Sequence, residues 1–423
     1  MTRILIEQSG YGLGNAGDVA MLLSLTQRIR RSRPDIQLSV LTDNPERLTR
    51  IIPNTTPVDP QHKGFLTQDW CLLGALQRVL PDAWKPHLLR LERKTCSYAP
   101  RRAAACVDAR PKKRPLNPTA RQTIDWLDSF DGLIVSGGGF LTDVFKRHGQ
   151  LVLLLAAVMH RLGKPVAMLG QGIGPADDPQ LRSDLQHTLP RVDVLGLREG
   201  AHGPRLLNEL RVPQHAVTVT GDEALPLVRD SIDPNATSRG AIGINIRAAS
   251  YAGLHESPVP QHVADAAQQL GRDLQPLPIS WNHDDNDITP LKHLLPQHLC
   301  DEIREPLSPT QIVRLAGRCD LTVTGSYHAA LFSLAQGIPV IGIAANAYYQ
   351  YKFQGLAERF DPRNVTIINP NEIRSADDML ALCRRALDID DDRRADLRQR
   401  ATLQAQAVCD TGEKALAAYP KPA

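Results

Sequence analysis

The sequence predicts a protein of the α/β class, in which two domains, each with a parallel sheet, face each other across a cleft. Short apolar runs of strand type alternate with helical segments in both halves of the 423-residue chain, a pattern typical of a parallel sheet with helices on both faces. Between the two series lies a polar stretch, DSIDPNATSRG, at residues 230–240, whose proline, asparagine and glycine indicate a linker. A chain of this length is also too long for one ordinary core.

The first domain is expected to span residues 1–229. Its strands are predicted in the runs RILIEQ, LSVLTD, DGLIVS, PVAMLG, VDVLGL and AVTVTG, with helical segments such as DVAMLLSLTQRIRRS and GQLVLLLAAVMHRLG between them. In such a sheet, the loops at the carboxyl ends of the strands line the ligand crevice. The glycine-rich stretches follow these strands, so they are expected to form one wall of the cleft.

The second domain is expected over residues 240–375. Its strands are predicted in the runs AIGINIR, LQPLPISW, DLTVTGS and IPVIGIA, and helical segments such as YHAALFSLAQG separate them. Residues 376–423 are charged and helical in pattern, and they are expected to pack back on the first domain. The cleft between the two domains is then the expected ligand site.

Composition and charge exclude several classes of function. Lysine and arginine total 49 against 46 acidic residues, so no overall charge attracts nucleic acid. The seven cysteines are scattered without a C-x-x-C pair, which favours reduced thiols in a cytoplasmic protein. The first strand begins at Arg3 and leaves no room for a secretory leader, and the longest apolar stretch, LVLLLAAVMH, is too short to cross a bilayer. We therefore expect a soluble cytoplasmic protein that does not bind nucleic acid.

One segment departs from the α/β pattern. Residues 90–115 carry nine lysines or arginines against two acidic residues. One interpretation is a solvated insertion in the first domain. The other is a basic patch that attracts an anionic glycan, a nucleotide or a lipid surface, which would give peripheral membrane contact. The sequence leaves both open.

The first predicted strand runs into SGYGLGNAGDVAM at residues 9–21, a literal match to the dinucleotide fingerprint G-x-G-x-x-G. Asp43, at the end of the second strand, lies roughly where a ribose-binding acid would. Asp18 argues against a dinucleotide, because its carboxylate at the start of the helix would repel a pyrophosphate. Asn15 and Gly17 also supply a sharp turn for structural reasons alone. A structural turn or another ligand loop is therefore favoured.

A histidine follows the strand LTVT in the second half. Ser326 precedes a helix whose first turn holds Tyr327 and His328, and the N–H groups of a helix start can bind an anion. A histidine beside a bound phosphate can stay protonated and donate a proton. The alternative is a histidine that only caps or packs the helix.

Charged residues end three other predicted strands. Arg198 follows VDVLGL and can grip a carboxylate or phosphate with two hydrogen bonds, although a structural ion pair with Glu199 or another acid is the alternative. Asp222 in TGDEAL and Asp143 in GGGFLTD can each act as a base, or simply cap a helix.

The stretch SWNHDDND gathers His283, Asp284, Asp285 and Asp287, but its spacing matches no zinc or calcium signature. We therefore expect no metal. No G-x-S-x-G, Walker A or H-E-x-x-H motif occurs, so serine hydrolase, P-loop and zincin functions are not supported. No cofactor is expected either.

Taken in this order, the motifs resemble those of the polysaccharide pyruvyl transferase family. The family's GxGNxGDxA opening is similar to Gly12–Ala20, its triple-glycine strand to Asp131–Asp143 and its GQGIGP to Gly170–Pro175. Its arginine-acid pair is similar to Arg198-Glu199, its GDxA to Gly221–Ala224, and its histidine turn with GIPVIGI to Ser326–Ile343. The resemblance spans residues 3 to about 360, and the joint order of the motifs is more specific than any one of them.

This resemblance implies a fold similar to the GT-B glycosyltransferases, with two Rossmann-like domains and the active site between them. The implied reaction transfers the enolpyruvyl unit of phosphoenolpyruvate to two hydroxyls of a sugar, which forms a pyruvate ketal and releases phosphate. The implied acceptor is a sugar, a lipid-linked glycan or a glycosylated metabolite, for example in exopolysaccharide biosynthesis.

The resemblance also assigns roles to residues. Arg198 and the helix start at Tyr327 and His328 would bind the two anionic ends of phosphoenolpyruvate, with His328 as acid or phosphate partner. The hydroxyl base would be Asp143, Asp222 or the loop at Asn15 and Asp18. The predicted substrate-binding residues are Gly14, Asn15, Asp18, Gly138, Gly139, Gln171, Ser326, Tyr327 and Lys352.

At one turn the sequence departs from the family. The family often has an Arg-Leu-His triplet at the histidine turn, whereas Ser326-Tyr327-His328 stands here, so one cation is missing. Lys352 either replaces that charge or is a surface lysine. The departure keeps two alternatives open: a GT-B glycosyltransferase that uses a nucleotide sugar, and a non-catalytic protein that binds a glycan or metabolite.

Overall fold

The structure is a computed structural model of the chain. It describes residues 1–69, 71–73, 76, 79–110, 117–213, 216–232, 240–247, 257–282, 286–292, 294–295, 299, 303 and 305–420. Within these residues the strands form two parallel sheets, which confirms the predicted α/β class with two sheets in sequence. Residues 233–239, in the predicted linker, and 111–116, at the end of the basic segment, lie outside the described part of the chain.

The first sheet is built from the amino-terminal half of the chain. Its described strands are β1 Arg3–Glu7, β2 Gln37–Leu41, β3 Thr56–Val58, β4 Gly132–Val135, β5 Gly138–Leu141, β6 Val166–Ile173, β7 Val194–Leu197 and β8 Val217–Val219. They follow the order β3-β2-β1-β4-β6-β7-β8, and β5 also pairs with β6. The four residues of β4 and the eight of β6 are all buried, because helices cover both faces of the sheet.

Helices connect these strands and begin at recognisable caps. They are α1 Ala16–Ser32, α2 Pro45–Ile51, α3 Lys85–Tyr98, α4 Pro100–Asp108, α5 Ala120–Asp128, α6 Lys146–Arg161, α7 Pro179–Thr188, α8 Gly203–Glu209 and α9 Leu225–Ser231. The side chains of Asn15, Thr119 and Asp178 accept backbone N–H bonds at the starts of α1, α5 and α7, as N-cap residues do.

The second sheet contains β9 Ala241–Asn245, β10 Leu274–Pro276, β11 Cys319–Thr324, β12 Val340–Ile343 and β13 Val365–Ile368, in the order β10-β9-β11-β12-β13. The helices of this half are α10 Val259–Gln269, α11 Pro309–Ala316, α12 Tyr327–Leu334, α13 Ala347–Phe360, α14 Ala376–Leu387 and α15 Asp391–Ala417. No helix of the described chain is long and apolar enough to cross a membrane.

The last helix returns to the first sheet. α15 packs against α9, α1, β6 and β7, and the chain after it reaches β4, where the Tyr419 hydroxyl donates to the Leu133 carbonyl at 2.8 Å. Leu416 and Tyr419 are buried in the same apolar cluster as Ile4 and Ile6 of β1. The carboxyl-terminal segment therefore links the two halves of the molecule.

In each sheet the order in which successive strands are added reverses at one point. In the first sheet β1 lies between β2 and β4, and in the second sheet β9 lies between β10 and β11. The loops after two such neighbouring strands diverge to opposite faces and leave a crevice, which is where open α/β sheets bind ligands. Both crevices open toward the same space between the sheets.

Candidate active site

A cavity of about 410 Å³ lies between the two halves and is lined by both. The first half contributes the loop from Ser9 to Asp18, the segment around Gly139 and Phe145, and Arg198. The second half contributes these residues: Arg247, Asn282, Ser326, Tyr327, His328, Tyr348, Tyr349 and Lys352. The loops after β1, β7, β9 and β11 thus meet in one space.

The glycine loop after β1 joins the two halves through backbone hydrogen bonds. Asn15 caps α1, since its side-chain oxygen accepts from the N–H groups of Gly17 at 2.9 Å and Asp18 at 3.2 Å. The N–H of Ala16 donates to the Ile279 carbonyl, and the N–H of Trp281 donates to the Gly14 carbonyl. Because these bonds already use the first N–H groups of the helix, the start of α1 is not open to a pyrophosphate.

Two glycines of this loop allow side chains of the second half to lie directly on the backbone. A Cβ atom at Gly17 would overlap the His328 imidazole, and one at Gly14 would overlap the Asn282 amide. The Asn282 side chain is exposed and can move aside, whereas the His328 ring is buried. Glycine at position 17 is therefore needed for close approach.

We expect Gly17→Ala to lower the free energy of unfolding by about 1–3 kcal/mol, because the new methyl group forces His328 and α1 apart. Urea unfolding of the purified protein measures this change. Gly12→Ala is the matched control in the same loop, since its Cβ would meet only the Asp43 carboxylate at 3.6 Å, an ordinary contact. Equal losses in the two variants would contradict the proposed clash.

Three cations line the cavity. The Arg198 guanidinium stacks on the Tyr327 ring at 4.2 Å, in space that Gly139 and Gly172 leave open. The Lys352 ammonium lies 4.1 Å from the centroid of the Tyr348 ring. Burial, and then the charges of Arg198 and Arg247, hold the pKa of Lys352 well below its usual range. Lys352 is thus a half-buried cavity residue and not an exposed surface lysine.

Arg247 was missed in the sequence, although it ends the strand AIGINIR as Arg198 ends VDVLGL. Its guanidinium bonds the Asp287 carboxylate at 2.9 Å. Asp287 is fully buried and also accepts from the Asn245 amide and from the N–H groups of Ile279 and Ser280. Asp287 therefore orients Arg247 toward the cavity.

The acidic stretch in which Asp287 lies has no described metal site. His283, Asp284 and Asp285 fall outside the described residues. Within the described ones, no group of histidine, cysteine and acidic side chains could hold a metal ion.

Asp222 lies behind the cavity, between Arg198 and His328. Its Oδ2 atom is 3.8 Å from the Arg198 Nη1 atom and 3.8 Å from the His328 Nε2 atom. Among the described residues, neither Oδ2 nor Nε2 has a hydrogen-bond partner, while Oδ1 accepts from the Ala224 N–H. Burial raises the pKa of Asp222 to about 6, against the lowering effect of Arg198.

His328 is neutral in this environment. Burial, followed by the charges of Arg198, Lys352 and Arg247, holds its pKa well below the usual value of a histidine. The expectation of a protonated histidine therefore does not apply to the cavity without a ligand. A bound anion would offset the three cations and raise the pKa of the imidazole again.

The raised pKa of Asp222 predicts a gain of stability in Asp222→Asn. A carboxyl group whose pKa rises on folding stabilises the fold below its unfolded value of 3.8 and loses that contribution as the pH rises through about 6. At about pH 8 we expect Asp222→Asn to be more stable than the parent by about 2 kcal/mol, and at about pH 4 the difference should vanish. Thermal unfolding at both pH values measures it.

Asp143→Asn is the control for this experiment, and it is expected to lower the stability where Asp222→Asn raises it. Its carboxylate accepts from the backbone N–H groups of Asp177 and Asp178, so the amide should cost about 1 kcal/mol at about pH 8. If Asp222→Asn also destabilises the protein there, the proposed cost of burying the Asp222 charge is wrong.

Four of the predicted site residues lie outside the cavity lining: Asp222, described above, and Asp143, Gln171 and Gly138. Asp143 holds the turn before α7 through the two bonds just described and is not part of the cavity lining. Gln171 is fully buried and donates to the carbonyls of Ser136 and Leu169. Gly138 starts β5, where a Cβ would overlap the Phe140 ring. These positions are explained by packing.

The remaining predicted residues converge. The cavity lining includes the following of them: Gly14, Asn15, Asp18, Gly139, Arg198, Ser326, Tyr327, His328 and Lys352. Asp18 is half-buried, and desolvation raises the pKa of its carboxyl group despite the opposing effects of Ser9 and of nearby cations.

A buried polar cluster beside the cavity gave no signal in the sequence. The Lys63 ammonium bonds the Glu7 carboxylate at 2.9 Å and also contacts the Tyr11 hydroxyl, which donates to Glu7 at 2.6 Å. His148, a cavity residue, packs edge-on against the Tyr11 and Phe140 rings. This cluster lies behind the cavity wall, and His148 is its contact with the lining.

Comparison with known proteins identifies a family and a fold. The family model for polysaccharide pyruvyl transferase matches residues 15–346, a range that includes Arg198, Asp222 and His328. Among solved structures, UDP-GlcNAc 2-epimerase from Neisseria meningitidis bound to UDP-GlcNAc has a TM-score of 0.56 at 10% identity and covers 99% of each chain. The epimerase from Methanocaldococcus jannaschii has a TM-score of 0.51 at 10% identity, covering 92% of this chain and 94% of that one.

A glycosyltransferase has the same architecture. The glycotransferase of kitacinnamycin has a TM-score of 0.53 at 10% identity and covers 99% of this chain and 98% of that chain. At such identities the likeness concerns the fold alone. It confirms the predicted similarity to the GT-B arrangement.

Proposed function

Because the chain belongs to the polysaccharide pyruvyl transferase family and is therefore a transferase, we propose that it transfers the enolpyruvyl unit of phosphoenolpyruvate to two hydroxyl groups of a sugar. The observation that carries the proposal is the convergence of Arg198, Arg247 and Lys352 on one cavity between the halves. Two arginines and a lysine, whose lowered pKa a bound anion would raise again, in a space of about 410 Å³ suit a small ligand with a carboxylate at one end and a phosphate at the other.

In this proposal, other residues supply the positive charge that an arginine of the family's histidine turn would provide at Ser326. Arg247 and Lys352 supply positive charge to the same cavity as the Ser326 turn. The side chain of Ser326 makes no capping hydrogen bond to α12, which leaves its hydroxyl and the helix start available to a phosphate. Arg198, whose guanidinium is fixed over Tyr327, suits the carboxylate because it can donate two parallel bonds.

The proposed reaction begins with a proton at His328. The phosphate dianion offsets the three cations, so the imidazole takes up a proton as the donor binds. His328 then donates it to the methylene carbon, which becomes a methyl group, and the adjacent carbon becomes electron-deficient. The first sugar hydroxyl adds to that carbon, and its proton passes to a carboxylate.

Release of phosphate completes the reaction. The bond between the central carbon and the phosphate oxygen breaks, phosphate leaves with the bond electrons, and the second hydroxyl adds to the same carbon. Over the whole reaction one hydroxyl proton ends on the methyl group and the other on phosphate, so the atoms balance. Asp18, which lines the cavity, is the proposed base, and Asp222, 3.8 Å from His328, is proposed to return protons to the imidazole.

Calorimetric titration with phosphoenolpyruvate tests the proposal. We expect binding with proton uptake, detected as a heat that changes with the ionisation enthalpy of the buffer, and a weakening of about tenfold or more in Arg247→Met. Arg359→Met, outside the cavity lining, is the matched control and should bind as the parent does.

The other outcomes point to the alternative functions. Stabilisation by a nucleotide sugar but not by phosphoenolpyruvate would support a GT-B glycosyltransferase instead. Binding of phosphoenolpyruvate without phosphate release for any of a panel of p-nitrophenyl hexosides would support a non-catalytic binding protein. Either result would overturn the proposed transfer.

A further inference from the structure

The exposed apolar side chains of this protein are concentrated in one short segment. Eight large apolar side chains are exposed among the described residues, and five of them fall between positions 76 and 98. They are Leu76, Val79, Trp84, Leu91 and Tyr98, with exposed fractions from 42% to 75%. Single exposed apolar residues need no explanation, but such a concentration marks an interaction surface.

Three of these side chains form a stripe along one face of α3. Trp84, Leu91 and Tyr98 follow one another at intervals of seven residues, which is close to two full helical turns, so they lie above one another over about 20 Å. Their exposed fractions are 61%, 55% and 50%. The opposite face of α3 carries the buried residues Glu92, Cys96 and Ser97. The stripe is therefore an outward-facing apolar edge on a helix that is anchored on its other side.

Positive charge lies at the Tyr98 end of this stripe, whereas at the Trp84 end Lys85 pairs with the exposed Asp82. At its Tyr98 end, the Arg191 guanidinium lies 5.6 Å from the ring centroid and the Arg161 side chain donates to the Tyr98 carbonyl. In the following helix, Arg102 is exposed.

The acidic residues of segment 90–115 do not balance these charges at the surface. Glu92 is buried and bonds Cys71 and the Leu73 N–H. Asp108 caps α5 through the N–H groups of Ala120 and Arg121. Among the described residues of the segment, Arg93 and Arg101 pair with acids from other elements, and Arg102 and Arg110 leave its exposed surface basic.

We propose that the stripe of Trp84, Leu91 and Tyr98, together with the basic residues at its Tyr98 end, binds the surface of a membrane that contains anionic lipid. Tryptophan and tyrosine favour the level of the lipid headgroups, and leucine reaches the acyl boundary. Arginine and lysine beside them gain from the negative surface potential. A second copy of the chain fits less well, because a symmetric contact through this stripe would bring the same cations together.

The surface adjoins the candidate active site. A groove of about 550 Å³ is lined on one side by Leu89 and Arg93 of α3, and it shares Phe145 and His148 with the central cavity. Leu89 and Arg93 lie on the face of α3 opposite the stripe, so the groove runs between the anchored side of this helix and the cavity. The consequence that a lipid-anchored sugar is the acceptor rests on the proposed function, whereas membrane binding itself does not.

Cosedimentation with vesicles tests the proposal. With vesicles of phosphatidylcholine containing about 30% phosphatidylglycerol, we expect the protein to sediment, and to bind at least about fivefold more weakly to pure phosphatidylcholine or at about 0.5 M salt. The double variant Trp84→Asp and Leu91→Asp should reduce binding by about tenfold or more. Both side chains are more than half exposed, so the variant should keep its unfolding midpoint.

Leu403→Asp is the matched control, since Leu403 is 63% exposed on α15 and is not part of the stripe. It should bind vesicles as the parent does. Absence of sedimentation with anionic vesicles, or an equal loss in Leu403→Asp, would overturn the proposal. A dimer in light scattering that the double variant abolishes would instead identify the stripe as a contact between copies. Binding of phosphoenolpyruvate should be unchanged in the double variant, which separates this proposal from the proposed reaction.

Discussion

His328→Ala is expected to reduce phosphate release from phosphoenolpyruvate by about a thousandfold, because no other histidine lies beside Arg198 and Asp222 among the described cavity residues to carry the proton. The measurement is steady-state phosphate release with the p-nitrophenyl hexoside that the parent uses best. Binding of phosphoenolpyruvate should weaken by less than about tenfold, since the three cations remain. The loss is thus expected mainly in kcat.

An exposed histidine serves as the control for this variant. His160 lies at the exposed end of α6, and His160→Ala should keep its rate within about twofold. A His328→Ala protein that is folded and retains more than about a tenth of the parent rate would refute the proposed role of the imidazole. Loss of the proton uptake seen in calorimetry would support that role independently.

Asp287→Asn should lower the free energy of unfolding by about 3–5 kcal/mol, because it leaves the Arg247 charge in a buried place without its carboxylate. The substitution also disturbs three other hydrogen bonds, from the Asn245 amide and from the Ile279 and Ser280 N–H groups. Urea unfolding measures the change. Because Arg247 is then less well oriented, binding of phosphoenolpyruvate should weaken as well.

The pair of Arg272 and Asp320 in the same half gives a matched comparison. Its side chains are 28% and 18% exposed, against 7% and 0% for Arg247 and Asp287. Asp320→Asn should therefore cost less than about 1 kcal/mol. Similar losses in the two variants would argue that burial of Asp287 adds nothing to the strength of its pair.

We expected functional residues to follow the carboxyl ends of the strands, and this strand-end rule predicted part of the cavity lining. Arg198, Ser326, Tyr327 and His328 each follow a predicted strand, and all four line the cavity, because parallel strands bring their carboxyl ends to one edge. Arg247 obeys the same rule and was overlooked. Asp143 also follows a strand, yet its carboxylate bonds backbone N–H groups. The rule identifies the edge of the sheet, but it does not tell which way a side chain points.

Asp287 and Lys63 show a different limit. Asp287 stood in a stretch of acidic residues that is typical of a solvated loop, yet it is fully buried beneath Arg247. Lys63 lies 56 residues from Glu7, which it bonds in a buried cluster. Neither burial nor partner can be read from local sequence, since both depend on how distant segments pack.

The sequence by itself determined the class of the fold, the alternation of strands and helices and the family, because each of these depends on local patterns and on the order of motifs along the chain. Only the tertiary structure decided which charged residues share the cavity, that Lys352 lies half-buried among them, and that burial and nearby charges lower the pKa of His328 there. These properties arise from desolvation and from charges on separate elements, and both come into being only when the two halves close around one space.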